Sequence, residues 1–205
     1  MEDKKYVLKY TLDKIIAAFL VLILSPLLLI IFIVIFIKGL VCEESKGSAI
    51  YKETRISQGR TFRLYKFRVI KQSVIDKMAP SDSATFLQLK KENVTRAGSF
   101  LIRFYLDEIL QLFNVLKADM SMVGPRPRIP VIYEKDLNDG YSALKFLRGG
   151  ITGPHQLSKG TPALSLDRSE EYHEKCDSYS SMELLAYDIG LLARTVLKVV
   201  KREGL

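Results

Sequence analysis

The sequence predicts an α/β protein that is mainly helical, with an N-terminal membrane segment followed by a small folded domain. Three observations predict this fold: an uncharged apolar run, a stretch that alternates apolar with charged residues, and apolar residues at helical spacing farther along. With 205 residues, of which 48% are hydrophobic, the chain suits one compact domain plus an appendage. We assign residues 1–40 to the membrane segment and residues 41–205 to the domain.

The charge balance favours anionic partners. Lys and Arg number 31 against 23 Asp and Glu, so the formal charge is +8, which suits phosphates, acidic lipid or nucleic acid without choosing among them. Cys42 and Cys176 are too few for a disulfide scaffold and lack the paired spacing of a structural zinc site. We therefore expect a reducing compartment.

The uncharged run from Ile15 to Ile37 is long enough to cross the ~30 Å hydrocarbon core as one helix. Four lysines precede it and favour a cytoplasmic N-terminus, and the basic remainder of the chain prefers that side too: Lys4, Lys5, Lys9 and Lys14. Ser25 and Pro26 in the middle predict a hinge, at which a helix-break-helix would enter and leave the same leaflet, with the Ser25 hydroxyl bonding to freed backbone. Hydropathy alone favours a proline-kinked single span. A signal peptide is a further alternative, but no cleavage site follows the run.

The stretch from Ala49 to Ile70 alternates aromatic and basic residues and predicts a strand pair that turns at Gly59. Phe62, Leu64 and Lys66 share one face of the second strand. The polar stretch from Gln72 to Lys91 is expected to be a helical or mobile insert without chemistry.

Helical spacing of apolar residues predicts one helix from Phe100 to Leu116. Its opposite face carries four polar residues: Arg103, Asp107, Gln111 and Asn114. Taken alone, that face indicates a solvated surface with an ordinary Arg103–Asp107 pair. A second apolar stretch, Met182 to Val200, predicts a helix that packs in the core or lies at the membrane interface.

Prolines flank Arg126 on both sides and hold the backbone extended, so that the guanidinium is fixed at low entropic cost. Arginine offers a planar fork that fits phosphate. The alternative interpretation is a rigid surface linker.

Six short motifs occur in order along the chain: Phe62–Arg68, Thr95–Gly98, Leu106–Glu108, Asn114–Lys117, Asp119–Pro127 and Gly150–Gly153. Together they resemble the bacterial sugar transferases, in particular the small monotopic polyprenol-phosphate phosphoglycosyl transferases. The resemblance extends from Ser25 and Pro26 to Gly204. It implies a re-entrant membrane helix and a small catalytic domain on the cytoplasmic face of the bacterial inner membrane.

The resemblance also implies a reaction. Such enzymes move a phosphosugar from a UDP-sugar to polyprenol phosphate with release of UMP, in two ping-pong steps. Asp107 corresponds to the nucleophile and Glu108 to the metal-associated residue, with Mg²⁺ as cofactor. Six basic residues are candidates for binding phosphate: Arg126, Lys66, Arg68, Arg55, Arg96 and Arg128.

For Lys66 and Arg68, a basic strand lying on acidic lipid is an equal alternative. The partners implied are a UDP-sugar, polyprenol phosphate and membrane lipids, without nucleic acid, and a homodimer stays open. Two other classes of protein are a membrane-anchored adaptor with a basic face and a signal-anchored extracytoplasmic binding protein. The sugar, the pathway and the polyprenol length are not determined by these residues.

Several positions depart from the family pattern, among them Val69, Ile70 and Gly149. Tyr105 and Leu110 stand where Ser and Pro usually start a helix, so we expect the helix beside Asp107 to begin elsewhere. Ala118 stands where Gly is usual.

Overall fold

The computed structural model describes residues 4–79, 87, 88, 90–157 and 162–201. Gly204, where the resemblance ends, and part of the predicted insert between Gln72 and Lys91 lie outside these residues. The helices are α1 (Lys4–Val41), α2 (Gln72–Ile75), α3 (Arg96–Arg103), α4 (Gln111–Leu116), α5 (Pro130–Asn138), α6 (Ala143–Phe146), α7 (Pro154–Leu157), α8 (Pro162–Ser178) and α9 (Ser181–Lys201). The strands are β1 (Ile50–Ser57), β2 (Arg60–Phe67), β3 (Met120–Val123) and β4 (Gly149–Thr152). Short 3₁₀ turns occupy Glu43–Ser45, Lys91–Asn93 and Leu106–Glu108. The mainly helical α/β prediction is confirmed.

Helix α1 runs unbroken from Lys4 to Val41, so the predicted helix break at Ser25 and Pro26 is wrong. Pro26 has no N–H to donate to the carbonyl of Leu22, its usual partner one turn earlier. The Ser25 hydroxyl donates to that carbonyl at 2.8 Å, and the freed acceptor is satisfied within the helix. The helix is long and apolar enough to cross a membrane.

Both halves of α1 pack against the rest of the chain. Ala17, in the first half, is buried in a cluster with Leu64 and Leu112. Ile31 and Ile35, in the second half, are buried in another cluster around Phe67 and Leu101. Most other apolar residues of α1 are exposed, including Phe19, Leu22, Leu29, Ile30 and Phe36. The helix therefore has one face in the protein core and a broad apolar face directed outward.

Strands β1 and β2 form the predicted antiparallel hairpin, with register from Ile50 opposite Phe67 to Ser57 opposite Arg60. Gln58 and Gly59 connect them with φ of 50° and 67°. Two consecutive left-handed residues are typical of the tight turn whose twist matches a two-residue hairpin. The turn at Gly59 is thus confirmed.

The single helix predicted from Phe100 to Leu116 is wrong. Helix α3 ends at Arg103, and Tyr105 adopts the left-handed conformation with φ 55° and ψ 21°. A residue in that region cannot continue a right-handed helix, so the chain turns before α4 begins at Gln111. The face predicted to be solvated is also buried at Asp107, Gln111 and Asn114.

The C-terminal end of α4 explains the unusual residue at position 118. The N–H groups of Ala118 and Asp119 donate to the carbonyls of Val115 and Asn114, each at 2.9 Å. This pair of hydrogen bonds requires a residue in the left-handed conformation directly after the helix, a position that usually holds glycine. Here Ala118 occupies that position, with φ 64°. The turn directs the chain into β3, which pairs in parallel with β4.

Helix α9 confirms the predicted C-terminal helix and its packing in the core; a position at the membrane interface stays a prediction. Leu184 and Leu191 are buried in the core, whereas Met182, Ile189 and Val196 are exposed on the other side.

Candidate active site

Asp107 and Glu108, the two adjacent carboxylates, lie in the 3₁₀ turn between α3 and α4. The side chain of Asp107 is buried, with 3% of the residue exposed. Burial raises the pKa of Asp107 to about 6, the negative charge of Glu108 adds to the rise, and Lys66 opposes it. Strongly shifted carboxyl pKa values cluster at functional sites, so Asp107 is a candidate site residue.

Glu108 has the opposite electrostatic environment. The Lys66 Nζ atom lies 2.6 Å from Glu108 Oε1, and the two form an ion pair between β2 and the 3₁₀ turn. Burial alone would raise the pKa of Glu108, but the positive charges of Lys66, Arg126 and Arg55 outweigh it and lower that pKa to about 2. The two neighbouring carboxylates are thus driven apart in pKa, the pattern expected where they have different roles.

Lys66 is buried, with 6% of the residue exposed, and its ammonium group points to Glu108. The alternative in which Lys66 lies on acidic lipid is therefore wrong. The sequence of β2 predicts only that Lys66 shares a strand face with Phe62 and Leu64. It does not predict burial of Lys66, because the residue that pairs with it, Glu108, lies far along the chain.

Arg126 reaches the same cluster from the loop after β3. Its charge contributes to lowering the pKa of Glu108, and it forms no hydrogen bond or ion pair with the residues that the structure describes. The loop itself is rigid, because the N–H of Gly124 donates to Thr152 at 2.9 Å and that of Gly150 to Pro125 at 2.8 Å. A Cβ atom on Gly150 would lie 2.1 Å from the nitrogen of Gly124, so the two segments approach as closely as glycine allows.

Arg55 stabilises this loop rather than extending into open space. Its guanidinium pairs with Glu53 at 2.5 Å and donates to the carbonyl of Pro127 at 3.3 Å. Sequence reasoning missed Glu53, although its position two residues before Arg55 places both side chains on the same strand face. The pair is buried, so Glu53 holds Arg55 in the orientation that meets Pro127.

The other predicted basic residues have different surroundings. Arg68 is buried and donates to the backbone carbonyls of Ser45 and Ser48 before β1. Arg128 pairs with Asp136 at 2.9 Å. Arg96 is exposed at the start of α3. Within the described ranges, no hydrogen bond or ion pair connects these three arginines with Asp107 or Glu108.

Asn114 holds α4 against β2, a role that could not be predicted from its being a polar residue on a helix. Its amide donates to the carbonyl of Arg63 at 2.7 Å and accepts from the N–H of Tyr65 at 3.0 Å. The same amide lies 3.2 Å from Asp119. Because Asn114 is fully buried, it fixes α4 against the strand that carries Lys66.

Asp107 and Glu108 are the residues of the site that could hold a magnesium ion together with substrate oxygens. No cluster of three or more His, Cys, Asp or Glu able to hold a metal exists in the parts of the chain that the structure describes. Mg²⁺ typically binds one or two protein carboxylates together with substrate phosphates and water. Asp107 and Glu108 supply two adjacent carboxylates; burial is the main cause of the raised pKa of Asp107, and a cation would offset the smaller contribution from the charge of Glu108.

Comparison with known proteins places the chain in one protein family. The sequence profile of the bacterial sugar transferase family matches residues 4–202. A Bacillus subtilis protein with the provisional name undecaprenyl-phosphate N-acetylgalactosaminyl 1-phosphate transferase is 48% identical over 101 residues, which are 49% of this chain and 54% of that protein.

Two further relatives align with nearly the whole chain. The undecaprenyl-phosphate galactose phosphotransferase of Salmonella typhimurium is 31% identical over 208 residues, 96% of this chain and 41% of the relative. The UDP-glucose:undecaprenyl-phosphate glucose-1-phosphate transferase of Escherichia coli is 31% identical over 196 residues, 93% of this chain and 40% of the relative. The chain thus spans about half, or less, of the length of these relatives.

Replacing Asp107 by Asn should stabilise the metal-free protein. The folded carboxyl keeps its proton up to about pH 6, whereas an unfolded one loses it near pH 4, so its contribution to stability is complete below pH 4 and is lost as the pH rises through 6. We expect Asp107→Asn to raise the free energy of unfolding by roughly 2–3 kcal/mol at pH 7.5 and to have little effect at pH 4. Thermal unfolding in chelator across this pH range measures the difference.

Asp139→Asn, at an exposed position, is the matched control and should change stability by less than ~0.5 kcal/mol. A loss of stability in Asp107→Asn at pH 7.5, or a gain that does not vary with pH, would contradict the environment assigned to Asp107.

Proposed function

The chain belongs to the bacterial sugar transferase family, and from that membership we propose that it transfers a phosphosugar from a UDP-sugar to polyprenol phosphate. The observation that carries the proposal is the pair of carboxylates with opposed pKa values, Asp107 and Glu108, beside the charges of Lys66 and Arg126. Relatives named as undecaprenyl-phosphate sugar phosphotransferases support the substrate classes.

The first step uses Asp107 as the nucleophile. A carboxylate oxygen of Asp107 attacks the phosphorus that bears the sugar, the bond from that phosphorus to the bridging oxygen breaks, and UMP leaves with the bonding electrons. An oxygen of polyprenol phosphate then attacks the same phosphorus, the bond to Asp107 breaks, and the carboxylate is regenerated. The two steps follow ping-pong order, with the sugar phosphate held on Asp107 in between.

The negative charge of the reacting phosphates is stabilised by basic residues, some of which are already paired with protein groups. Glu108 and Lys66 form a fixed pair, so Lys66 holds Glu108 ionised beside the nucleophile. Arg126, which has no protein ion-pair partner among the described residues, is the guanidinium available to the diphosphate. Arg55 acts through the Pro127 carbonyl, which fixes the loop that carries Arg126.

We also propose Mg²⁺ as the cofactor, held by Asp107 and Glu108. When bound, the ion offsets the negative charge of the diphosphate and of the departing UMP. The residues of the chain position the carboxylates, exclude water from Asp107 and keep Glu108 ionised.

The contacts of α1 support a monotopic arrangement on the cytoplasmic face of the bacterial inner membrane. Ala17 and Ile35, near opposite ends of the apolar run, both pack against the same domain. In a helix that crossed the bilayer, the two positions would lie on opposite sides of a hydrocarbon layer ~30 Å thick. At most one of them could then contact a domain on one side of the membrane. A helix that stays continuous at Pro26 can still bend, so that it enters and leaves one leaflet.

UMP release tests the proposed reaction. We expect the purified protein, given polyprenol phosphate and Mg²⁺, to release UMP from at least one member of a UDP-sugar panel, and Asp107→Asn to reduce the rate by at least about a thousandfold. Because the free carboxyl titrates at about pH 6, kcat/KM should fall as the pH drops through that value. Asp139→Asn is the control. Full activity in Asp107→Asn would refute the nucleophile.

Cysteine accessibility tests the membrane arrangement. In a Cys42→Ser background, Lys4→Cys and Arg60→Cys introduce exposed thiols at the start of α1 and in the hairpin, while Cys176 is buried. A membrane-impermeant maleimide should label both thiols in inside-out vesicles and neither in intact cells. Leu22→Cys, in the apolar run, should be labelled in neither preparation. Labelling of Lys4→Cys and Arg60→Cys from opposite sides would contradict the monotopic arrangement.

A further inference from the structure

Two charged residues in the first turns of α1, Lys9 and Asp13, are buried inside the domain. Lys9 has 3% of its surface exposed, and its Nζ atom lies 2.5 Å from Asp188 Oδ2 of α9. The same ammonium group donates to the backbone carbonyl of Val123 at 3.0 Å. Asp13, one helical turn farther along α1, is 3.8 Å from Lys9. The first turns of the membrane helix are therefore bound to the domain by charge as well as by apolar contact.

Surrounding side chains complete this network, so its members are held in place. Asp188 Oδ1 accepts a hydrogen bond from the hydroxyl of Tyr172 at 2.7 Å. Asp13 accepts one from the hydroxyl of Ser121, which lies in β3. All of these residues are buried, and buried polar networks in which each member has a partner specify one geometry.

Val123 is the point at which this network meets the candidate active site. It is the last residue of β3, it pairs with Thr152 of β4, and three residues farther along the chain lies Arg126. The intervening segment is constrained, because Pro125 fixes its own backbone and Gly124 lies so close to the chain at Arg148 and Gly150 that a Cβ atom there would clash. A displacement of the Val123 carbonyl would therefore be passed to Arg126.

The loop that carries Arg126 is thus anchored from two directions. Arg55 of the hairpin donates to the carbonyl of Pro127, on one side of Arg126. Lys9 of the membrane helix donates to the carbonyl of Val123, on the other side. Packing alone does not account for a lysine at position 9, because a well-packed apolar pair often stabilises a core as well as a buried ion pair does.

We propose that Lys9 is a positioning residue that couples the seating of α1 in the membrane to the alignment of Arg126 with the phosphates of the donor, acting through the Val123 carbonyl. The inference rests on the proposed function, since it assigns Arg126 to the donor diphosphate. Lys9 itself touches no substrate in this account.

The test uses a variant that removes the charges of Lys9 and Asp188, while Asp13 keeps its hydrogen bond from Ser121. Lys9→Met/Asp188→Leu replaces the buried pair with apolar side chains, and the Tyr172 hydroxyl, 3.4 Å from the Val123 carbonyl, retains an acceptor. Lys14→Met is the matched control, because Lys14 carries the same charge on an exposed face of the same helix. Thermal unfolding verifies that each variant is folded.

UDP serves as the probe, with its affinity measured by calorimetry on the full chain in lipid nanodiscs. We expect the double variant to bind UDP about tenfold more weakly than wild type, the effect of one charge-assisted hydrogen bond. Lys14→Met should stay within about twofold of wild type. In an Arg126→Ala background the additional loss should disappear, because residues that act through one another are not additive.

Three outcomes would overturn the proposal: unchanged UDP affinity in the folded double variant, an equal loss in Lys14→Met, or a loss that adds fully to that of Arg126→Ala. Absence of UDP binding to wild type would overturn it as well. UMP release by wild type is measured in parallel, so a protein that binds UDP as expected but turns over no UDP-sugar would count against the proposed function alone.

Discussion

The ion pair between buried Lys66 and half-buried Glu108 is the interaction on which the site depends. At 2.6 Å it joins β2 to the 3₁₀ turn and keeps Glu108 ionised in a place where burial would favour its neutral form. Asp107, the residue before it, has no ion-pair partner among the described residues, and burial together with the charge of Glu108 raises its pKa to about 6. Two carboxylates in one turn thereby acquire different properties: the pKa of Glu108 is lowered and that of Asp107 is raised, the difference that the proposed division of roles requires.

The elements that bring these groups together also carry the membrane segment. Helix α4 follows the Asp107–Glu108 turn directly, and Leu112 on that helix packs in the same cluster as Ala17 of α1. Asn114 fastens α4 to the strand that supplies Lys66. The membrane helix is thus part of the core that orders the site. In the proposed reaction, this shared packing would let a soluble nucleotide and a long lipid reach the same carboxylate.

Sequence reasoning succeeded where the signal is local. The apolar run, the turn at Gly59 and the helix after Ser181 each depend on neighbouring residues, and the ordered motifs led to the family. Features set by distant residues were missed. The left-handed Tyr105 interrupts a stretch with helical spacing, and the burial of Lys9 depends on Asp188 at the other end of the chain. At Ser25 the prediction failed for a local reason, since the hydroxyl that was expected to serve a break instead preserves the helix.

The central claim is that Asp107 carries the phosphosugar between the two half-reactions. Intact-protein mass spectrometry after incubation with a turned-over UDP-sugar and Mg²⁺, but without polyprenol phosphate, tests it most directly. The account predicts a mass increase equal to one phosphosugar, located at Asp107, lost when polyprenol phosphate is added and absent from Asp107→Asn. Product formation that requires both substrates together, with no adduct on the protein at any time, would contradict it.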